Sequence, residues 1–196
     1  MAPVDVDPRR VRELLAAHGR LEPQEPSDWT GEVPLPEPIA AFYRDVGPVD
    51  VTIEGYGNPY HLPRLAGLWD YQAGYRWNSL TGEASADWNP DWLVVADEGA
   101  DPFIFAAAEG VVLYAVHGVG AWDPVELYPS LNTMAACLAT LGSVVVAAGD
   151  GFTDDDCDVR PEHRATAVRR LTELLGDAAR AEEIVDEAGW STSSAR

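Results

Sequence analysis

The residues with most chemical potential lie in one stretch, WLVVADEGADPFIFAAAEGVVLYAVHGVGAW, from Trp92 to Trp122. Asp97, Glu98 and Asp101 crowd its first acidic turn, across residues 97–101, and a lone His117 closes its third apolar run. Three carboxylates and an imidazole are the side chains that bind a divalent cation or relay a proton. Their spacing argues against both uses. The acids stand one and three residues apart on one turn, and no second cluster closes a coordination shell. Aspartate is frequent in turns because its carboxylate accepts backbone N–H bonds and it tolerates unusual dihedral angles. The stretch reads as a hairpin that shapes a surface, with no metal expected.

Other chemistries fare no better. In Asp150–Asp158, DGFTDDDCD, the acids Asp154, Asp156 and Asp158 alternate as in a calcium loop, but the required glycine is missing and Arg160-Pro161 interrupts the continuation. That run is expected to be an acidic loop entering a helix N-terminus. Cys137 and Cys157 stand twenty apart without CxxC spacing or a nearby His ligand, which supports neither a disulfide framework nor zinc. There is no G-x-S-x-G, and the glycine-rich loop Gly55–Pro59 lacks a phosphate-binding lysine, a residue type the whole chain lacks. A non-enzymatic protein without a cofactor is expected.

Charge points elsewhere. The net charge is −20 over 196 residues, and residues 77–159 hold 14 acids with no lysine or arginine. A field of one sign repels nucleic acid and anionic membrane and speeds association with basic proteins. In and beside that window stand Trp69, Tyr71, Tyr75, Trp77, Trp88, Trp92 and Trp122. Aromatic rings next to carboxylates receive Arg and Lys through hydrogen bonds and cation–π contacts. The candidate partner-binding residues are therefore Asp97, Glu98, Asp101, Trp88, Trp122 and Asp123. The partner expected is a basic protein, with no nucleic acid and no membrane. MAPVDVDPRR has no apolar signal core, and the uncharged run Leu127–Gly149 is interrupted by Pro129, Asn132 and several hydroxyl residues. It is expected to be a buried helix in a cytoplasmic protein.

These residues must be positioned by elements that the pattern also predicts. Asp7 caps and Pro8 opens a first helix, and a proline-rich wrap follows over residues 20–38. Ile39, Phe42, Tyr43 and Val46 repeat at helical spacing up to Gly47, and Val49–Glu54 alternates as a strand. Leu65–Trp77 is loosely helical, weakened by Gly67 and Gly74. Trp92–Ala96, Pro102–Ala106 and Val111–His117 predict three strands of an antiparallel meander, the first covered on both faces. Ser130 caps a helix, and Pro161 opens another with Ala165, Val168, Leu171 and Leu175 on one face. Gly176-Asp177 breaks it before a last helix over 178–188, and the end from Trp190 is expected to fray. The fold expected is α+β: an antiparallel meander sheet packed against helices, with an added C-terminal helical segment. Its parts are an N-terminal helix and wrap (1–34), an α+β domain (35–149), an acidic loop with packed helices (150–190) and a tail (191–196).

Three places resemble the SUKH superfamily, bacterial immunity proteins that also include a yeast cell-wall synthesis regulator. Leu35-Pro36-Glu37 leading to Phe42-Tyr43 and Gly47 is similar to its opening helix. Trp92–Ala96 followed by Gly99-Ala100-Asp101-Pro102-Phe103 is similar to its central strand pair and Gly-Asp-Pro-Phe-like turn. Val111–His117, then Gly118–Trp122 and a helix, resembles its closing segment. The resemblance spans about residues 35 to 141. Departures are Ala100, which separates Gly99 from Asp101, Ala106 where an aspartate often stands, and the unmatched segment 159–190. The resemblance implies an α+β domain that binds and neutralises a toxin domain, often a nuclease, whose phosphate-binding face is basic. The alternative is a general interaction or regulatory module with no toxin partner.

Overall fold

A computed structural model of the chain describes residues 5–190. Helix α1 spans Pro8–Leu15, with the Asp7 carboxylate accepting from the Arg9 N–H at its start and Val11 and Leu15 buried. The wrap then crosses to α2, Glu37–Asp45, whose Ile39, Phe42 and Tyr43 are buried. Six strands follow: β1 Val51–Ile53, β2 Tyr60–Leu62, β3 Trp92–Glu98, β4 Asp101–Ala106, β5 Val111–Tyr114 and β6 Val125–Tyr128. They form one antiparallel sheet in chain order, β1-β2-β3-β4-β5-β6. Helices α3 (Leu131–Ala148), α4 (Pro161–Leu175) and α5 (Ala178–Glu187) complete an α+β fold with a meander sheet packed against helices. The meander is longer than the three strands predicted. Val49–Glu54 supplies β1 as its alternation predicts, whereas β2 and β6, which extend the meander, are only three and four residues long, too short to establish a period.

Helix α3 is the centre of the packing. It touches β1, β5 and β6 on one side and α1, α2 and α4 on others. Its length and mean hydropathy of 1.7 are enough to cross a membrane, yet 67% of the apolar window is buried inside the fold. The Ser130 hydroxyl accepts from the Thr133 N–H to start it. Alanine and glycine let neighbours come close. A Cβ on Gly142 would stand 2.2 Å from Ile53 Cγ2, so β1 lies directly on the helix there.

The inner sheet face supplies Leu93, Phe103, Phe105, Val112 and Tyr114 to this core. A register shift between Val94 and Ala96 turns both Val95 and Ala96 inward, as a β-bulge does. Two expectations need correction at the C-terminal end. In α4 the buried residues are Ala167, Leu171 and Leu175, while Ala165 faces solvent. Trp190 does not fray: it is fully buried, edge-on to Phe152 at 4.9 Å, and belongs to the main core. The expected tail 191–196 lies outside the described residues.

Candidate functional site

The outer face of the sheet carries the candidate site. Val94, Ile104 and Leu113 form a cross-strand row on β3, β4 and β5. Helices cover the inner face, so this row needs a second cover. It comes from residues 65–92, where the two glycines and clustered aromatics give short 3₁₀ turns, Leu65–Gly67 and Asp70–Gln72, in place of the loose helix expected. Tyr75 and Trp88 are buried against the row, and Tyr71, Trp92 and Trp122 pack on them half-buried. Trp88 meets Trp92 at 5.5 Å and Trp122 at 5.6 Å, both edge-on, the geometry that ring quadrupoles favour.

One residue that sequence reasoning missed docks this layer. Gln72 is fully buried, and its amide oxygen accepts from the Val94 N–H at 2.8 Å. Its amide nitrogen donates to the Val94 carbonyl at 2.9 Å and to the Leu68 carbonyl at 2.8 Å. Strand β2 pairs with β3 only at Asp97 and Glu98, so the side chain of Gln72 replaces a neighbouring strand at Val94. Arg76 extends the arrangement, donating from Nη1 to the carbonyls of Pro90 (2.9 Å) and Trp92 (3.2 Å). Nothing in the sequence flags Gln72, because its role exists only where β2 stops short.

The acidic hairpin is built differently from its expected form. Asp97 and Glu98 belong to β3 and Asp101 to β4, and the turn is Gly99-Ala100 alone, with φ of 58° and 87°. This is a mirror-image hairpin turn, whose positive φ suits glycine. Gly99 is needed twice over, since a Cβ there would stand 2.5 Å from the Asn58 side chain. The structure does bring Asp97, Glu98, Asp101 and His117 to one end of the sheet, but Asp97, Asp101 and His117 are hydrogen-bonded within the fold and Glu98 is half-buried. Tyr75 Oη donates to Asp97 at 3.3 Å. Asp101 Oδ1 accepts the His117 N–H and contacts His117 Nδ1, both at 2.6 Å, which ties the β5–β6 loop across to β4. Burial first, and then Asp101, pushes the Glu98 carboxyl up to about 7. Burial and the Asp97 carboxylate push the Tyr71 and Tyr75 phenols up, so both remain neutral.

Four of the six candidate residues are engaged or largely covered within the fold: Asp97, Glu98 and Asp101 at the hairpin, and Trp88 in the aromatic layer. Trp88 is only 7% exposed and supports the layer from below, so its ring is not offered to solvent. Asp101 latches a loop. Trp122 stays half-buried at the rim, and Asp123 beside it is exposed. Two acids that no motif singled out, Asp87 and Asp91, are exposed beside Trp88 and Trp92. None of Asp87, Asp91 and Asp123 is in an ion pair among the described residues. Val116 and Val119, 50% and 69% exposed, complete the loop that carries Trp122. The face therefore combines rigid aromatics, exposed apolar groups and free carboxylates.

Among the described residues no three His, Cys, Asp or Glu side chains converge in a way that could hold a metal ion. The loop at 154–158 closes on itself, with Asp154 Oδ1 accepting from the N–H groups of Asp156 and Asp158 at 3.0 Å. Cys137 is buried, which pushes its thiol up, and Cys157 is exposed; both are free. Comparison of the chain with protein families, with curated proteins and with solved structures gives no match.

Proposed function

We propose that this chain is a non-enzymatic binding protein of the cytoplasm, an immunity protein that neutralises a basic, nuclease-type toxin domain. The observation that carries the reading is the aromatic layer of the outer sheet face, rimmed by Asp87, Asp91 and Asp123 inside a window without Lys or Arg. Large rings held by their own packing give contact area at little entropic cost, and free carboxylates at the rim steer a cationic partner inward. The SUKH-like residues at 35–47, 92–103 and 111–122 support the same reading, and neutralisation by occupying a phosphate-binding face requires no catalytic group.

The experiment is capture with the tagged chain from lysate of its own cell, followed by expression of the captured protein with and without the chain. The expected result is a basic protein held at low salt and released at high salt, toxic alone and harmless when co-expressed. A partner that is acidic, or bound equally at both salt concentrations, would contradict the proposal.

A further inference from the structure

We infer that a cavity of about 370 Å³ on the aromatic segment, beside the paired rings of Trp69 and Trp77, receives an arginine side chain of the partner. The inference rests on the reading of this chain as a docking protein for a basic partner and names the contact that anchors it. Glu32, Trp69, Arg76, Trp77, Gly82 and Ala84 line the cavity. Its size is at the lower end of ligand sites, which run roughly 300–1,000 Å³, and suits one long side chain.

The walls are fixed before any partner arrives. Trp69 and Trp77 meet at 5.1 Å, and Trp29 abuts Trp69 edge-on at 5.7 Å. Trp29 Nε1 donates to the Val33 carbonyl at 2.8 Å, and a Cβ on Gly31 would collide with the Trp29 ring at 2.0 Å. This tight loop holds Glu32 at the cavity, exposed and in no ion pair among the described residues. On the other side, the Asn78 Oδ1 accepts from the N–H groups of Leu80 and Thr81 and stiffens a turn on which Leu80 is 93% exposed.

The lining carries two charges, Arg76 and Glu32, and of these only Arg76 has partners within the described residues. The chain's own Arg76 already displays the chemistry, its guanidinium carbon 5.5 Å from the Trp69 ring centre and its Nη1 donating to two backbone carbonyls. Trp77 and the unpaired Glu32 offer an aromatic wall and an anionic acceptor for a second, external guanidinium. Its planar, weakly hydrated form stacks on indole and pairs with carboxylate better than an ammonium does.

The test needs no partner. The full chain, with its tryptophan indoles labelled with ¹⁵N, is titrated with acetyl-arginine-amide and separately with acetyl-citrulline-amide, which has the same shape without the charge. The expected result is a saturable shift of the Trp69 and Trp77 indole signals with arginine alone, weakened roughly threefold in Glu32→Gln, a substitution at an exposed position. Equal shifts with both probes, or with neither, would overturn the inference. Those outcomes would leave the wider docking face standing, because salt-dependent capture of a basic partner tests that separately.

Discussion

Replacing Gln72 tests whether one side chain holds the aromatic layer on the sheet. Gln72→Met keeps the length and most of the volume and removes three hydrogen bonds, two to Val94 and one to Leu68. The site is fully buried, so water does not substitute for the amide. The Val94 N–H and two carbonyls are left without partners. An unsatisfied buried group costs about 1–3 kcal/mol, and carbonyls relax more readily than an N–H, so the loss expected is about 3–5 kcal/mol. That is a large share of a stability of roughly 5–15 kcal/mol. Urea unfolding followed by tryptophan fluorescence would show a lower midpoint at unchanged slope. Hydrogen exchange would show the Val94 amide losing protection. A Gln72→Met midpoint equivalent to less than about 0.5 kcal/mol of lost stability, the range of ordinary surface changes, would refute the role given to this residue.

Glu98 makes stability depend on pH in a stated direction. Its folded pKa is raised from 4.5 to about 7, so between those values the folded chain holds a proton that the unfolded chain has lost. This contribution is complete below about pH 4.5 and disappears as pH rises through 7. Glu98→Gln should flatten that part of the profile and stabilise the chain above pH 7, by an amount on the order of 1–2 kcal/mol after allowance for partial exposure. Denaturant midpoints measured from pH 5 to 8 for both proteins check it, and parallel profiles would contradict it. Ala100 has φ of 87° in the hairpin turn. Ala100→Gly should relieve that strain and raise stability by up to about 1 kcal/mol in the same unfolding assay. Trp190→Ala should remove about 3–5 kcal/mol, as for other buried large rings, and a small loss there would mean that the chain end is not part of the core.

Local signals carried much of the architecture. The Asp7-Pro8 start of α1, the Ser130 cap of α3 and the Gly176-Asp177 break between α4 and α5 all stand where side-chain capping and backbone preference put them. The continuous apolar run at 92–96 reported a strand covered on both faces, and Val94 and Leu93 do bury into opposite layers. Information carried by long-range contacts was not visible. Strand β2 is a three-residue segment that exists because β1 and β3 flank it. Trp190 looked like a chain end and is anchored by Phe152, 38 positions earlier. The candidate site was legible in composition, as aromatics among acids, but not in detail. Sequence position could not show that Asp101 is tied to His117 while Asp87 and Asp91 stand free at the rim.

The central claim, that the aromatic face and its rim carboxylates dock a basic protein, is tested most directly by association kinetics. The captured partner is bound to the native chain and to a variant with Asp87→Lys, Asp91→Lys and Asp123→Lys, at several salt concentrations. These positions are exposed, so the variant should match the native chain in unfolding midpoint. The account predicts association slowed at least about tenfold at low salt, with the difference narrowing as salt screens the rim. Equal association rates for the two proteins, with folding intact, would place the docking surface elsewhere and contradict the account.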